Sequence, residues 1–350
     1  MNGSHAHTYP KLHNAAWPGV VGKGGEGAEP CIDLDTMLDL TAAARCDDAK
    51  FDGFDLFLYL PHINIDASDD EIKSLADKST SRGLVIGSVV APVGSRPAAA
   101  RPWTREGRKK FLEQVRRDAD RQAVARAGGR GPTASCGSTR RAARTTGSPT
   151  RRATRRRSPR RCRQAGAIAR DHGEKLAAEG EICGAACTPG GPWSTSWSGW
   201  ASPRRSDSRR TWPTRCSTRW GECPEDRILP KDFQWKDHAA LDAALKTLTS
   251  ALRPWTIDFH VAQNDATVFG SGSHDHTGRH CLANDPNGKL DIPHHAGFWL
   301  RDENGKLTRK FKHICWDGCM FPNEVMMRPE TWNNILAAMV QVRDAHGWNG

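Results

Sequence analysis

Two long segments of this 350-residue chain contain almost none of the side chains that build a hydrophobic core. Residues 117–163 include no Leu, Ile, Phe or Met and a single Val, Val124, and residues 184–222 include no Leu, Ile, Val, Met or Phe. The sequence around these two low-hydrophobicity segments alternates apolar and polar positions, as globular strands do. We therefore expect one folded domain, residues 1–350, in which both segments are either disordered inserts or damaged sequence.

The positive charge of the chain is concentrated in the first of these segments. Residues 117–163 hold fifteen Arg, no Lys and two Asp, so their net charge of +13 exceeds the +11 of the whole chain and leaves −2 for the rest. One interpretation is a basic arm that binds nucleic acid through its phosphates, with the Trp side chains of residues 184–222 stacking on bases. Natural basic arms usually mix Lys with Arg, so nucleic acid is not the partner that we expect.

The cysteines and the N-terminal residues favour a cytoplasmic protein. The 11 Cys show no paired CxxC spacing, and residues 1–10 lack the charged start and apolar run of a signal peptide. No part of the sequence approaches the roughly 20 consecutive apolar residues of a membrane helix. We expect a protein with reduced thiols and no membrane span, and the sequence leaves its oligomeric state open.

The remaining sequence alternates strands and helices. Strands are predicted at residues 11–17, 53–60, 84–93, 176–183, 256–262 and 311–316, and helices at residues 33–44, 68–83, 106–116, 164–172, 238–252 and 329–346. In the second helix, Ser68 and Glu71 have the spacing of a capping box. Six strands, with one more for each low-hydrophobicity segment, make eight. The pattern predicts a (β/α)8 TIM barrel in which two βα units, at residues 117–163 and 184–222, are disrupted or disordered.

Polar side chains follow three of the later predicted strands. Glu181, His260 and Asp317 lie at or near the carboxyl ends of these strands, and in an α/β barrel such ends meet at one mouth. Two carboxylates and an imidazole suit Mn²⁺, Mg²⁺, Co²⁺ or Zn²⁺. A His in a strand is more often a hydrogen-bonded core residue, and Glu179 competes with Glu181 for the inward position.

Three motifs resemble a known family. Residues 13–23 (HNAAWPGVVGK), 255–265 (WTIDFHVAQND) and 313–323 (HICWDGCMFPN) look like a bacterial branch of the sugar phosphate isomerase/epimerase family, the xylose isomerase-like TIM barrels. The resemblance extends over residues 11–93, 106–116, 164–183 and 223–350. It is specific for this branch and does not distinguish substrates.

The resemblance implies a divalent metal held by Glu, Asp, His and a final acidic residue from four successive strands. Glu181, His260 and Asp317 match three of these positions, and Glu181 and Asp317 are also the implied catalytic residues. The implied reaction is isomerisation or epimerisation of a sugar or a polyol-derived carbonyl compound, by proton or hydride transfer, with the metal as Lewis acid. A metal-dependent lyase, dehydratase or hydrolase remains an alternative, because one barrel serves many reactions.

The fourth metal ligand that the resemblance implies is missing from the sequence. It would be an Asp followed three residues later by a His, within residues 184–222, which contain no His. Residues 210–214 (RTWPT) permit Asp-Met-Ala-His in a neighbouring reading frame, where the Ala is forced because the Trp codon ends in G. We therefore expect frameshifts in both low-hydrophobicity segments and an impaired activity in the chain as written.

Overall fold

The computed structural model of the chain describes residues 8–91, 112–113, 116–117, 135–138, 164–178, 233–265, 280–308, 310–318 and 321–349. Its strands are β1 (Thr8–Tyr9), β2 (Lys11–Ala15), β3 (Gly53–Phe57), β4 (Val85–Ala91), β5 (Ser135–Ser138), β6 (Lys175–Ala178), β7 (His260–Val261), β8 (Gln263–Asn264), β9 (His280–Cys281), β10 (His313–Trp316) and β11 (Trp348–Asn349). Its helices are α1 (Leu34–Ala43), α2 (Asp69–Ser81), α3 (His238–Leu252), α4 (Ile292–Leu300), α5 (Asn323–Met326) and α6 (Pro329–His346). Residues 164–171 are also helical.

Seven of the strands form one parallel sheet in the order β6-β5-β4-β3-β2-β10-β7. Strands β2 to β5 each pair with the next strand along the chain, whereas β10, the last parallel strand, pairs with β2, the first. A last strand that returns to the first is the connectivity of a TIM barrel. Within the described residues, β6 and β7 are the two edges of the sheet.

The six predicted strands are all present, although β7 is limited to His260–Val261. The first low-hydrophobicity segment also supplies a strand, β5, which pairs with β4 and β6. It lies where counting strands placed a missing βα unit, and it forms because backbone pairing does not require large side chains. The second low-hydrophobicity segment, residues 184–222, lies outside the described residues.

The strands present different side chains to the two faces of the sheet. Successive residues of a strand point to opposite faces, and Leu12, Phe54, Phe259 and Ile314 all belong to the main hydrophobic core. On this face the strands pack against helices such as α6, which contributes Trp332. The residues next to these apolar positions therefore point to the opposite, inward face.

The helix ends follow the capping signals of the sequence. Ser68 and Glu71 form the predicted capping box at the start of α2, and Asp33 caps α1 by accepting a hydrogen bond from the Thr36 N–H. Helices α3 and α6 have the predicted bounds. Helix α4 is not predicted by the sequence analysis, because a Pro in its first turn, two His and a Gly obscure its apolar period.

A short antiparallel pair joins the first and last described residues. Strand β1 pairs with β11, and the rings of Tyr9 and Trp348 are stacked with 6.3 Å between their centroids. This pair lies next to the start of β2.

None of the helices in the described ranges combines the length and apolar character needed to cross a membrane.

Candidate functional site

The inward face of the sheet carries a buried cluster of His and Asp side chains. Its members come from β2, β3, β4 and β10 and from the start of β7, and each is less than a tenth exposed: His13, Asp55, Ser88, Asp258, His260 and His313. We call them the inner cluster. The interior of an α/β barrel is usually filled by Val, Ile and Leu, so this polar filling is a specialised feature.

Asp55 is the centre of the inner cluster. Its Oδ1 lies 3.0 Å from His13 Nδ1 and accepts a 3.0 Å hydrogen bond from the Ser88 N–H. The same oxygen lies 3.3 Å from His313 Nε2, and Asp55 Oδ2 lies 3.3 Å from His260 Nε2. The Asp55 side chain has no exposed surface. One carboxylate therefore contacts three imidazoles that come from three different strands.

Asp258 is the second carboxylate of the inner cluster. The Ser88 hydroxyl donates a 2.7 Å hydrogen bond to Asp258 Oδ2, and the Phe259 N–H donates to its Oδ1 at 3.0 Å. His260 Nε2 lies 3.6 Å from Asp258 Oδ2, and His313 Nε2 lies 3.8 Å from its Oδ1. His260 and His313 thus each lie between two carboxylates.

The carboxylates of the inner cluster are ionised despite their burial. Burial opposes ionisation of Asp55, but the charge of His313 and hydrogen bonds with His13 and His260 hold its pKa well below the usual range. Burial likewise opposes ionisation of Asp258, whose pKa is nevertheless lowered to about 2, chiefly by His260.

The imidazoles of the inner cluster divide into two protonated rings and one neutral ring. Burial would lower the pKa of His260, but Asp258 and Asp55 raise it well above its ordinary value. His313 also has a raised pKa, because Asp55 and Asp258 outweigh its burial. Burial and the charge of His313 lower the pKa of His13. Two negative and two positive side chains therefore balance in the interior.

Two glycines make room for the inner cluster. A Cβ atom at Gly53 would lie 2.7 Å from His13 Nε2, and a Cβ at Gly87 would overlap His13 and Asp55. The rings of His13 and His313 stack with 4.1 Å between their centroids, so the His13 ring cannot shift towards His313 to accommodate an added Cβ. The glycines of β3 and β4 are therefore required by close packing.

Trp17 connects the inner cluster to Asp317. Its indole N–H donates a 2.7 Å hydrogen bond to Asp317 Oδ1, and its ring lies 5.4 Å from the His260 ring, centroid to centroid. The Asp317 N–H donates to the Val261 carbonyl at 2.8 Å, which fixes the end of β10 beside the end of β7. Trp17 therefore contacts both predicted site residues that the structure describes.

The loop after Trp17 is tied to the loop after Asp317. The Lys23 ammonium donates a 2.9 Å hydrogen bond to the Phe321 carbonyl and a 3.1 Å hydrogen bond to Glu29. Glu29 in turn accepts from the Asn323 N–H at 3.0 Å. The Lys23 side chain is only 4% exposed. These contacts hold two loops together at the carboxyl ends of β2 and β10.

The structure describes two of the three predicted site residues. Glu181 lies outside the described residues. His260 and Asp317 both contact the Trp17 side chain, His260 through the ring and Asp317 through the indole N–H. Their joint binding of a metal with Glu181 stays a prediction.

Five residues of the inner cluster are absent from the sequence prediction: His13, Asp55, Ser88, Asp258 and His313. A signal for two of them exists in the sequence. Asp258 is two residues from His260, and His313 is four residues from Asp317, so alternation places each on the same face as its partner. No comparable signal marks Asp55, which stands alone between two apolar residues.

The inner cluster contains donor sets for a cation. Ligand atoms of His13, Asp55 and His313 lie within 4.8 Å of one another, as do those of Asp55, His260 and Cys315. Burial raises the pKa of the Cys315 thiol well above its ordinary value, and the nearby carboxylates raise it further. Cys315 is therefore a protonated thiol and a weak ligand, which leaves the His and Asp side chains as the main donors.

Comparison with known proteins identifies the fold. No protein-family model and no curated protein matches the sequence. A xylose isomerase-like TIM barrel protein from Mycobacterium smegmatis, solved in complex with magnesium, has 13% identity and a TM-score of 0.50, with 94% of this chain and 97% of that protein covered. The parallel sheet and helices of this chain are similar in fold to that TIM barrel, and within the described residues the sheet is open between β6 and β7.

A second solved structure is similar over nearly the whole length of both chains. It is a sugar phosphate isomerase/epimerase from Parabacteroides distasonis ATCC 8503, with 12% identity and a TM-score of 0.47, covering 97% of this chain and 96% of that protein. The parallel sheet predicted from β-α alternation is confirmed, and its fold is similar to that of the M. smegmatis TIM barrel.

Proposed function

We propose that this chain is a metal-dependent isomerase or epimerase of a sugar or a polyol-derived carbonyl compound, with its active site at the C-terminal mouth of the barrel. One observation carries the proposal: Trp17 contacts both His260 and Asp317 where β7 and β10 end. In TIM-barrel enzymes the catalytic residues lie at this end of the strands. The substrate class follows from the sequence motifs at residues 13–23, 255–265 and 313–323.

The strand order supports the participation of Glu181. This residue follows the end of β6 by three positions in the sequence. Asp317 follows the end of β10 by one position, and both strands belong to the same parallel sheet. An eighth strand between β6 and β7 would close the barrel and bring Glu181 towards His260 and Asp317. We include this closure in the proposal.

The described residues fit a divalent cation near His260. His260 Nε2 and Asp55 Oδ2 are both buried and lie 3.3 Å from each other. Two carboxylates lie within 3.6 Å of this nitrogen and favour a positive charge there. Without metal that charge is the proton of His260, and a cation bound by Nε2 would displace this proton. The M. smegmatis protein of the same fold was solved with magnesium, which supports a hard divalent ion. Such a cation, when bound, would supply Lewis-acid polarisation of a substrate carbonyl.

The chain's own side chains would orient the substrate and move the proton. In this proposal His260, Asp317 and Glu181 hold the cation, and Glu181 and Asp317 are the carboxylates placed to exchange a proton with the substrate. The Trp17 N–H donates a hydrogen bond that orients one oxygen of Asp317. Asp55 and Asp258 contact His260 Nε2 and orient the His260 ring. A hydride shift between adjacent carbons would use the same arrangement.

The activity of the chain as written is proposed to be impaired. The Asp-x-x-His pattern that the family resemblance implies is absent from residues 184–222. Loss of a residue that supports a metal ligand typically costs about 10- to 100-fold in affinity or activity, and loss of a ligand costs more. The experiment must therefore compare two proteins, the chain as written and a version in which the reading frame of both low-hydrophobicity segments is restored.

Both proteins would be freed of metal and incubated with aldoses, ketoses, inositols and their phosphates, with Mg²⁺, Mn²⁺, Co²⁺ or Zn²⁺ added. We expect the restored protein to interconvert at least one carbonyl–hydroxyl pair only when metal is present, and the chain as written to be at least about 100-fold slower. Running the reaction in D₂O and following it by NMR distinguishes proton transfer from a hydride shift. Proton transfer introduces solvent deuterium into the product, whereas a hydride shift does not.

Substitutions of the proposed metal ligands test the site itself. Asp317→Asn and His260→Asn in the restored protein should both abolish the metal-dependent reaction. Activity that survives a chelator, or that survives both substitutions, would contradict the proposed site. A restored protein that folds but converts none of the compounds would contradict the proposed reaction.

A further inference from the structure

A second group of His and Asp side chains lies on two helices, α3 and α4. Asp242 belongs to α3, and His294 and His295 are consecutive residues in the first turn of α4. His294 Nε2 lies 2.8 Å from Asp242 Oδ2, and His295 Nε2 lies 3.2 Å from Asp242 Oδ1. We call these three residues the outer cluster. They lie on helices and share no residue with the inner cluster or with the proposed active site.

The outer cluster has the ligand types and spacing of a metal site. Its ligand atoms all lie within 4.8 Å of one another. Two imidazoles and a carboxylate are the donors that Zn²⁺, Co²⁺, Ni²⁺ and Cu²⁺ prefer. Three protein ligands also leave a fourth position for water or another small ligand.

The surroundings hold the two rings in place. The Phe298 ring is edge-on to His294, with 4.9 Å between centroids, and lies 5.8 Å from His295. Phe298 packs on a small separate apolar group formed by Leu241 and its neighbours on α3 and before α4. The His295 side chain is only 4% exposed, whereas that of His294 is 48% exposed. One ligand is therefore fixed by packing, and the other is open to solvent for entry of the ion.

We propose that Asp242, His294 and His295 bind a late first-row divalent cation, with Zn²⁺ as the representative ion, and that this ion cross-links α3 to α4. The carboxylate would bridge the gap between the helices, with each imidazole contributing one nitrogen. The site is independent of the proposed reaction at the barrel mouth. The expected consequence is structural. Helix α3 is the first helix described after residue 178, and the ion would hold it against α4.

A lysine beside the outer cluster competes with the cation. Lys246 Nζ lies 3.9 Å from Asp242 Oδ2 and 5.0 Å from the centroid of the Phe298 ring. The Lys246 side chain is 59% exposed, so it can swing into solvent when an ion binds. Its positive charge nevertheless opposes a second cation at Asp242. Removal of this charge should tighten metal binding, and loss of a ligand should weaken it.

The test uses the full chain after removal of metal with a chelator. Equilibrium dialysis would count the equivalents of Zn²⁺ that bind, and the visible absorption of Co²⁺ would report its nitrogen and oxygen ligands. We expect His294→Asn and Asp242→Asn each to bind one equivalent fewer than the parent, or to bind it at least about 10-fold more weakly. Lys246→Gln should bind the same equivalent about two- to fivefold more tightly.

Two control variants separate the outer cluster from other sites. His172→Asn removes a partly buried imidazole that contacts the Ile168 carbonyl and lies outside both clusters, so it should bind as many equivalents as the parent. Asp317→Asn alters the proposed site at the barrel mouth and should still bind one equivalent of Zn²⁺ at the outer cluster. Added Zn²⁺ should also raise the melting temperature of the parent by more than that of His294→Asn, which retains only the proposed site at the barrel mouth. The proposal is overturned if parent, His294→Asn and Asp242→Asn bind equal numbers of equivalents with equal affinity.

Discussion

The inner and outer clusters use the same residue types in opposite environments. In the inner cluster, Asp55 is completely buried and contacts three imidazoles from neighbouring strands. In the outer cluster, Asp242 is 24% exposed and has both a solvent-accessible His294 and a flexible Lys246 as neighbours. Water can compensate a charge at the surface, whereas in the interior only another side chain or a bound ion can do so. Burial therefore makes the inner cluster a requirement for the fold and leaves the outer cluster free to exchange its cation.

The largest expected effect is that of Asp55→Asn. This substitution keeps the shape of the side chain but removes the negative charge that compensates His260 and His313. Breaking a buried charge pair from one side typically costs about 3–5 kcal/mol in the free energy of unfolding. Urea denaturation followed by circular dichroism would measure the loss.

Asp242→Asn is the matched substitution in the outer cluster. It removes the same charge from an Asp that also contacts two imidazoles, but at the surface, where such pairs are worth about 0–1 kcal/mol. The comparison between the clusters fails if Asp55→Asn and Asp242→Asn lower the free energy of unfolding by similar amounts in the absence of metal.

A smaller effect is expected from Gly87→Ala, which tests how tightly the inner cluster is packed. The added methyl group would overlap His13 and Asp55. Forcing one extra carbon into a packed core typically costs about 1–3 kcal/mol. Gly25→Ala is the control, because a Cβ at Gly25 meets no atom within 4 Å, and a change of at most about 0.5 kcal/mol is expected there. Equal melting temperatures for the two variants would show that the inner cluster can accommodate an extra methyl group and is not tightly packed.

Trp17→Phe has a smaller expected effect on stability than Gly87→Ala and the most specific effect on the proposed site. It keeps an aromatic ring but removes the N–H that donates to Asp317. We expect a loss of about 1–2 kcal/mol in the free energy of unfolding and a weakening of metal binding at the mouth by about 10-fold or more. Isothermal titration with Mg²⁺ or Mn²⁺ would measure the second effect.

Trp348→Phe is the control for Trp17→Phe. Trp348 stacks on Tyr9 at the far end of the chain and has no contact with the inner cluster in the described structure. Its substitution should leave metal binding at the mouth unchanged. Unaltered metal affinity in Trp17→Phe would instead argue that Asp317 is not a ligand.

Local sequence patterns are sufficient to predict most of the described fold. The bounds of α3 and α6 agree with the periodicity and capping signals, and the capping box at Ser68 forms as its spacing indicates. Strand β5 could be placed only by counting, because Ser-Cys-Gly-Ser offers no alternation of apolar and polar residues. The fold was thus predictable where periodicity is strong.

The candidate site was less predictable because it depends on pairing between distant strands. The sequence analysis identified polar residues where strands end, and so reached His260 and Asp317. Asp55 gains its importance only because β2, β3 and β10 lie side by side, which brings His13 and His313 to it. That pairing follows from closure of the chain on itself, which no local pattern records.

The adjacency of the first and last parallel strands also has a consequence for biosynthesis. Trp17 and Asp317 are 300 residues apart in sequence, yet they share a hydrogen bond. A nascent chain on the ribosome therefore carries Asp55 and His13 long before His313 is translated, and must keep these ionisable groups hydrated in the meantime. Premature termination anywhere before β10 would yield a product whose half-built interior admits water, and such a fragment is a natural substrate for cellular proteases.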